Sequence, residues 1–453
     1  MDYILTHLDP NHLRPSLLLV TPNETTFRTM EEVPNYVERG MIWFLLIPVL
    51  EFIFSDEKKV SFNDSITNLN ASILNLLFKF GGRFLAAVFY EDLYNQFRVI
   101  DLAWDSPWTW VLCLIVTDFI YYLTHRAQHE IGIFWAFHQV HHSSEYFNMS
   151  ISMRHGAIQD ITSVLFELMQ VFFIPPNVYL VHRYMMWMRM FWLHASFLPS
   201  LGPLEYVLVT PKTHAVHHGR NKYCIDKNYG GTFIIWDIMF GTYAAPREDE
   251  ELAYGLVTPI NSFDQLWLQS FEFKWFGWDK GQLKDKDGND LFPGLWNKVK
   301  TVFMPPGYFP GVETKWFFFW KHNVDPCEGI PDLEEKDYVV YNPPVSRPLK
   351  VYLTLNAMVV VYFIFWFSPA RVNMSWTTFT LSIVFFLERI QMFGYYFDHH
   401  RFATVFDVVT MFLTLQVAGY MGYSIVGTFC KCTIAGALLM AWTGSTGKKQ
   451  KVL

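Results

Sequence analysis

Charged residues and cysteines are both scarce in this sequence, and each shortage narrows the function it can have. Only 17% of the 453 residues are charged, and the net charge of -7 indicates no basic surface for nucleic acid. The five cysteines are odd in number and scattered, so they indicate no disulfide framework. The chain also shows no internal repeat and no low-complexity tract. Neither nucleic-acid binding nor a disulfide-stabilised scaffold is therefore expected.

A cleavable signal peptide is not expected either. The first 35 residues lack a basic segment followed by an apolar one, so membrane insertion would use the first internal apolar segment. Hydrophobic residues make up 51% of the chain, aromatic residues make up 18%, and the mean hydropathy is +0.15. This composition is typical of a membrane protein rather than a soluble one.

Apolar segments recur along the chain at lengths that suit membrane helices. About nine of them are present, which predicts an all-α fold, a polytopic membrane helical bundle. The second segment contains Lys79 and Arg83 one turn apart, so it either spans the bilayer or lies in its interface. The segments are residues 41–54, 71–90, 108–122, 161–180, 181–198, 351–367, 376–392, 404–422 and 423–442.

Changes in composition divide the chain into successive regions. A polar segment and amino-terminal membrane segments precede a histidine-rich core that includes a membrane hairpin. A charged, proline-containing cytosolic region follows, and after it come carboxyl-terminal spans and a basic tail. The predicted regions are 1–38, 39–107, 108–243, 244–350, 351–443 and 444–453.

Eight histidines in the core region form three short clusters. An HxxxH motif is followed by two HxxHH motifs, and on a helix the positions i, i+3 and i+4 share one face. Each cluster can therefore aim its imidazoles at a common point. Eight imidazoles exceed the ligands of one structural zinc, so we expect two metals, and imidazole suits iron, zinc, copper and nickel alike. The eight are His125, His129, His138, His141, His142, His214, His217 and His218.

The three clusters are expected on the same side of the membrane. Only eight residues separate His129 from His138, too few to recross the bilayer. A hairpin formed by the apolar segments between His142 and His214 would return the third cluster to the same face. Two ferrous ions at such a site could activate O₂ for attack on a C–H bond. The alternative is a zinc hydrolase, but its site usually includes carboxylates and open positions, so the histidine count favours oxygen chemistry.

The order HxxxH, HxxHH, HxxHH among membrane segments resembles the fatty acid hydroxylase and sterol desaturase superfamily of membrane di-iron oxygenases. The segment after the last cluster is similar too, at Asn228-Tyr229-Gly230, Trp236-Asp237 and Phe240-Gly241-Thr242. Four stretches are closer still to the tetrahydrobiopterin-dependent ether lipid monooxygenases of that superfamily: TFRTMEEVPNYV, WDSPWTW, QVHHSSEYFNMS and VHHGRNKYCIDKNYGGTFIIWD. This second likeness covers most of residues 20 to 260.

The resemblance implies a reaction and its cofactors. Two iron ions, O₂ and tetrahydrobiopterin would serve to hydroxylate the alkyl carbon attached to the ether oxygen of a 1-O-alkylglycerol. The product would collapse to a fatty aldehyde and glycerol. All eight histidines match the superfamily's metal positions, whereas no pterin-binding residue can be assigned. The expected partners are the lipid substrate, the bilayer and, indirectly, enzymes that recycle the pterin.

Four further residues are candidates for the site. The resemblance implies a role in activity for Glu130, which would orient a ligand imidazole, although an acid at a helix end can simply be solvated. Tyr229 would line the cofactor or substrate site. His194, inside an apolar segment, is a ninth ligand, a partner of a ligand or a core residue. Asp118 would hydrogen-bond a ligand histidine or pair with another helix.

The carboxyl terminus bears on the location of the protein. It ends in GKKQKVL, in which Lys449 and Lys451 resemble a cytosolic dilysine retrieval signal of endoplasmic reticulum membrane proteins. An ordinary basic cytosolic tail is the alternative. Both interpretations predict a multi-pass protein of the endoplasmic reticulum membrane whose carboxyl terminus and histidine site face the cytosol.

Two other functions are open from the sequence. A sterol or fatty acyl hydroxylase or desaturase of the same superfamily would take its electrons from cytochrome b5 instead of a pterin. A non-catalytic membrane scaffold or transporter would use its histidines to hold structural zinc. Pterin-dependent turnover of an alkylglycerol would exclude both, because the first needs cytochrome b5 and the second catalyses no reaction.

Overall fold

The computed structural model describes residues 7–81, 85–310, 330 and 332–445, so the expected signal at Lys449 and Lys451 lies outside the described residues. Within them the chain is helical, and β-pairing is limited to isolated bridges, which confirms the all-α prediction. The α-helices are α1 (Tyr36–Phe54), α2 (Phe62–Gly81), α3 (Leu85–Phe97), α4 (Pro107–Glu130), α5 (Gly132–His142), α6 (Asp160–Glu167), α7 (Pro176–Trp192), α8 (Pro211–His218), α9 (Ile235–Met239), α10 (Gln265–Lys274), α11 (Gly294–Phe303), α12 (Arg347–Ala370), α13 (Trp376–Phe397), α14 (Ala403–Met421) and α15 (Ser424–Trp442).

Four helical segments of the described residues are long and apolar enough to cross a membrane. They are Pro107–Glu130, Arg347–Asn373, Ala403–Met421 and Ser424–Trp442. The first is α4, the second is α12 with a short 3₁₀ extension, and the last two are α14 and α15. The expectation of a multi-pass membrane protein is confirmed, whereas the predicted number of about nine spans is not.

The predicted apolar segment 161–180 is not one helix. Helix α6 ends at Glu167, a 3₁₀ turn covers Leu168–Phe172, and α7 begins at Pro176. The adjacent prolines Pro175 and Pro176 explain the break, because proline cannot donate a backbone N–H and restricts the residue before it. The predicted apolar segments 161–180 and 181–198 therefore do not correspond to one helix each, because α7 crosses the boundary between them.

A sharp joint between α4 and α5 places the first two histidine clusters next to each other. Ile131, between the two helices, has an extended backbone, and Gly132 donates its N–H to the carbonyl of Met304 at 3.1 Å. A Cβ atom at Gly132 would lie 2.8 Å from the carbonyl oxygens of Met304 and Val302. Only glycine allows this close approach of α11 to the joint.

The carboxyl-terminal helices pack on α2 and around one another. Buried side chains of α2, α12 and α13 form a common apolar core, which includes Leu77, Phe363 and Phe386. At the centre of this bundle Arg389 Nη1 lies 2.7 Å from Asp407 Oδ1, and both residues are fully buried. Helix α2 also reaches the histidine region, so it joins the carboxyl-terminal bundle to the candidate site.

Candidate metal centre

Three helices deliver the motif histidines. The end of α4 carries His125 and His129, α5 carries the second cluster at its last turn, and α8 carries the third. Helix α8 begins with a capping box between Thr210 and Thr213 and has Pro211 at its first position. Both features satisfy or remove backbone N–H groups that a short helix would otherwise leave unpaired.

Nine buried imidazoles meet between these helices and divide into two groups. In each group the ligand nitrogens all lie within 4.8 Å of one another. The five-histidine group consists of His125, His129, His138, His142 and His217, and the four-histidine group consists of His141, His194, His214 and His218. The expectation that each HxxHH cluster aims at one point is therefore wrong, because α5 and α8 lie between the two groups and each contributes to both.

In the five-histidine group, His138 is central. Its Nε2 atom lies 3.2 Å from Nε2 of His125 and 3.2 Å from Nε2 of His142. The Nε2 atom of His217 is 3.2 Å from that of His142, and Nε2 of His129 is buried without a hydrogen-bond partner. A metal bound to imidazole nitrogens at about 2.0–2.1 Å places two tetrahedral ligands about 3.3 Å apart. The nitrogen spacing therefore fits a shared metal ion.

In the four-histidine group, His194 is central. Its Nε2 atom lies 3.2 Å from Nε2 of His214 and of His218, and 3.3 Å from Nε2 of His141. Its Nδ1 atom donates to the carbonyl of Met190 at 3.2 Å, which leaves the Nε2 lone pair directed into the group. Of the roles considered for His194, the ninth-ligand position is the one that this geometry supports.

Backbone carbonyls set the orientation of other imidazoles. His125 Nδ1 donates to the carbonyl of Tyr229 at 2.9 Å. His217 Nδ1 donates to the carbonyl of Lys227 at 2.8 Å. A ring nitrogen that donates in this way leaves the opposite nitrogen unprotonated, which is the form that binds a metal. The loop that follows α8 is therefore part of the site, and it acts there through backbone carbonyls as well as through the side chain of Tyr229.

Burial also favours the neutral form of the imidazoles. It lowers the pKa of the motif histidines outside the membrane spans well below the ordinary value, and it lowers the pKa of His194 to about 3. Neutral imidazole is the metal-binding form, and neither group of described residues includes a cysteine or a carboxylate. The two groups fit a di-metal centre with nitrogen ligands. The motif histidines with lowered pKa are His138, His141, His142, His214, His217 and His218.

Tyr229 lies against the five-histidine group. Its ring centroid is 5.2 Å from that of His129, and its hydroxyl is buried without a hydrogen-bond partner. Burial raises the pKa of Tyr229 well above its ordinary value, so the hydroxyl keeps its proton. The structure thus places the Tyr229 ring beside the histidines, and among the described residues no group bonds to its hydroxyl.

Glu130 is buried rather than solvated. Its carboxylate Oε1 lies 2.9 Å from Arg126 Nε, one turn back on α4. Arg126 in turn donates to the hydroxyl of Tyr122, which contacts Thr242 at 3.0 Å.

A carboxylate that does face a histidine of the five-histidine group is that of Asp226, whose Oδ1 lies 3.8 Å from His129 Nδ1. The sequence analysis did not name Asp226. Its position in the stretch that follows the third histidine cluster was the available signal.

Of the two roles expected for Asp118, the structure supports pairing with another part of the fold, because its described hydrogen bonds go to the loop after α8 and to α9 rather than to a histidine. Its carboxylate accepts from the backbone N–H groups of Thr232 and Phe233 at 2.6 and 3.0 Å. It also accepts from Trp236 Nε1 at 2.8 Å. The residue therefore pairs α4 with the loop after α8, and it acts on the site through that loop.

Asp237 holds the same loop from the other side and was not among the candidates. It accepts from the backbone N–H groups of Tyr229 and Gly230 at 2.8 and 2.7 Å, and from the hydroxyl of Thr242 at 2.7 Å. The sequence likeness at Trp236-Asp237 and Phe240-Gly241-Thr242 was the available signal. The physical basis of this likeness is that these residues fix the carbonyl of Tyr229, and that carbonyl orients His125.

Known proteins resemble this chain over its core and over almost its whole length. The sequence profile of the fatty acid hydroxylase family matches residues 110–242. Alkylglycerol monooxygenase from Caenorhabditis elegans is 42% identical over 94% of this chain and 85% of the relative. The enzymes of the same name from Xenopus tropicalis and Homo sapiens are 35% and 34% identical, over 94% and 95% of this chain and 94% and 93% of the relatives. The chain belongs to the alkylglycerol monooxygenase family. No solved structure matches it.

Membership of the alkylglycerol monooxygenase family confirms the prediction of a membrane oxidoreductase and does not support a non-catalytic scaffold. The fatty acid hydroxylase match contains all nine histidines of the two groups. Helices α1, α2 and α12 to α15 lie outside that match.

Proposed function

We propose that this protein is a di-iron monooxygenase that hydroxylates the ether-linked alkyl carbon of 1-O-alkylglycerols with O₂ and tetrahydrobiopterin. One oxygen atom would enter the C–H bond next to the ether oxygen. The other would leave as water, formed with two electrons from the pterin and two protons. The hemiacetal would separate into a fatty aldehyde and glycerol. The relatives named alkylglycerol monooxygenase support this substrate class.

The observation that carries the proposal is the convergence of nine neutral imidazoles in two adjacent groups. Iron held there, together with O₂, supplies the oxidant for an unactivated C–H bond, which no amino-acid side chain can supply. We assign the five-histidine group and the four-histidine group to one iron ion each. His194 is included as a ligand because its Nε2 atom is the centre of the second group.

We assign Tyr229 and Glu130 to the activity in different ways. The Tyr229 hydroxyl is a proton donor beside the five-histidine group, and a positioned donor of this kind assists proton transfer to a reacting oxygen. Glu130 is a positioning residue, because its carboxylate fixes Arg126, which holds Tyr122 against Thr242. Asp118 and Asp237 position the loop that carries Tyr229.

Tetrahydrobiopterin as the electron donor is supported by the sequence likeness to the pterin-dependent branch, and we assign no residues to its binding. We place the site and the carboxyl terminus on the cytosolic face of the endoplasmic reticulum membrane. The basic residues at the end of the chain support this orientation.

The test uses the full-length protein, purified in detergent and loaded with iron. It is incubated with a 1-O-alkylglycerol and O₂, with and without tetrahydrobiopterin, and fatty aldehyde is trapped as a stable adduct. We expect aldehyde only when the pterin is present, and we expect none from His217→Ala. His400→Ala is the matched control, because His400 is exposed and lies outside both groups.

Aldehyde without pterin dependence would disprove the proposed electron donor. Absence of aldehyde from iron-replete protein would disprove the substrate assignment. Hydroxylation of a sterol or an acyl chain with cytochrome b5 as donor would then identify the other branch of the superfamily.

A further inference from the structure

A groove with a volume of about 1620 Å³ lies between α1 and the carboxyl-terminal helices α12 and α13. Its remaining lining comes from α2, α6 and α7. This volume exceeds the roughly 300–1,000 Å³ that is usual for small-molecule sites. The groove is therefore large enough for a lipid.

Side chains four residues apart give the groove a continuous apolar lining. Helix α1 contributes Met41, Leu45 and Val49, and α13 contributes Ile383 and Leu387. Such spacing puts the side chains of each helix on one face. From residue 35 to residue 49 the lining follows α1 for about 21 Å at 1.5 Å per residue, and one leaflet of the hydrocarbon core is about 15 Å thick. The groove is thus long enough for the extended alkyl chain of a membrane lipid.

Two aromatic rings connect the groove with the four-histidine group. Trp187 lines the groove, and its ring centroid is 6.1 Å from that of His155. The His155 imidazole stacks on His141, with centroids 5.8 Å apart and an interplanar angle of 10°. The rings of Trp187 and His155 therefore lie between the groove and His141, a candidate metal ligand.

The basic side chains beside Trp187 are paired with acids. Lys79 Nζ lies 3.1 Å from Asp160 Oδ2 and 3.8 Å from the centroid of the Trp187 ring. Arg183 Nε lies 2.8 Å from Glu167 Oε2. Paired charges of this kind favour an uncharged chain over an anionic ligand, which would need cations that are not already neutralised.

We propose that this groove binds the alkyl chain of the ether lipid. The chain would lie between α1 and α13, and its ether end would pass Trp187 and His155 to the histidine groups. This inference rests on the proposed function for the identity of the lipid. It gives α1, α12 and α13, which lie outside the hydroxylase match, the role of selecting chain length.

Binding is tested without turnover by a photoreactive substrate. A 1-O-alkylglycerol with a diazirine in the outer half of its chain is irradiated with the iron-loaded full-length protein, and the labelled peptides are mapped by mass spectrometry. We expect labels on α1, α12 and α13, and we expect unlabelled 1-O-alkylglycerol to displace the probe. Labels on helices that do not line the groove would overturn the proposal. Competition by a diacyl phosphatidylcholine but not by alkylglycerol would also overturn it, because the groove would then hold a structural lipid.

Chain-length selection is tested by two tryptophan variants of α13. Ile383→Trp fills the groove, whereas the matched control Val384→Trp alters the exposed neighbouring residue. We expect Ile383→Trp to lower kcat/KM for 1-O-octadecylglycerol relative to 1-O-dodecylglycerol by about tenfold, because two or more methylenes lose their burial. An unchanged ratio in Ile383→Trp, or an equal change in Val384→Trp, would contradict the proposal.

The two experiments separate this inference from the proposed function. Labelling of the groove without aldehyde formation would leave chain binding in place and disprove the reaction. Aldehyde formation with labels away from the groove would leave the reaction in place and disprove the chain site.

Discussion

Tyr229 contacts the five-histidine group through two different parts of the residue. Its backbone carbonyl accepts from His125 Nδ1, and its ring lies beside His129. A side-chain substitution leaves the first contact intact because a carbonyl is present at every residue. The role of the hydroxyl can therefore be separated from the role of the loop.

Tyr229→Phe is expected to lower kcat by about 100-fold, because it removes a positioned proton donor and keeps the ring and the carbonyl. Iron content should stay at the level of the unaltered protein. The measurements are kcat and KM with a 1-O-alkylglycerol, together with iron content per chain. Tyr223→Phe is the control, since it also removes one tyrosine hydroxyl but its ring packs against Arg247 and it belongs to neither histidine group. An unchanged kcat for Tyr229→Phe would contradict the assigned role.

At the scale of elements, the loop after α8 and the joint between α4 and α5 position the histidines. Asp118 holds the loop through two N–H groups and one indole, and Gly132 allows the joint to approach α11. Neither residue touches a histidine nitrogen. Both therefore act on metal binding only through backbone position.

Asp118→Asn is expected to lower iron occupancy although Asp118 bonds no histidine. The asparagine amide presents N–H groups to backbone N–H groups, so at least one buried donor loses its acceptor, at a cost of about 1–3 kcal/mol. Iron content per chain and the thermal midpoint in detergent measure the effect. Asp101→Asn, at an exposed position, should leave both values unchanged. Full iron occupancy in Asp118→Asn would show that the loop does not need this carboxylate.

Gly132→Ala is expected to destabilise the joint by about 1–3 kcal/mol, because its Cβ atom would lie 2.8 Å from two backbone oxygens. The shift of α5 should also reduce iron binding. Gly277→Ala serves as the control, since apart from its chain neighbours and its own helix backbone no described atom lies within 4 Å of its Cβ position. Thermal midpoints and iron contents of the two variants are compared. Equal behaviour of the two would mean that the close contact at Gly132 is not required.

At the scale of the whole molecule, two polar centres lie buried inside one helical protein. One is the pair of histidine groups, and the other is the ion pair of Arg389 and Asp407 in the carboxyl-terminal bundle. Tyr352 and Tyr396 donate their hydroxyls to the Asp407 carboxylate at 2.5 and 3.1 Å. Helices α12 and α13 of this bundle line the groove, so the bundle has to be stable for the groove to keep its shape.

Asp407→Leu is expected to lower the stability of the bundle by about 3–5 kcal/mol, because it leaves the Arg389 guanidinium buried without its counterion. The double variant Arg389→Met/Asp407→Leu should recover much of this loss, since it removes both charges. Thermal midpoints in detergent measure the two effects. A double variant as unstable as the single one would show that the polar network, rather than the charge balance, holds the bundle.

The sequence by itself determined the type of ligand that the site can offer. Histidine spacing within one helix is a local property, so the three clusters and their imidazole ligands follow from the order of residues. The apolar segments likewise predict a membrane protein of helices. Hydropathy does not show whether an apolar segment is one helix, so the break before Pro176 in segment 161–180 is visible only in the structure.

Only the tertiary structure decided how the histidines are shared. His194 lies 53 residues from His141 and 24 from His218, yet their Nε2 atoms are 3.3 and 3.2 Å apart. Such contacts depend on how helices cross. Because α5 and α8 lie between the two groups, the histidines of each helix are shared between both groups. The partners of Asp118 and the groove between α1 and α13 were decided in the same way, because each joins residues that are distant along the chain.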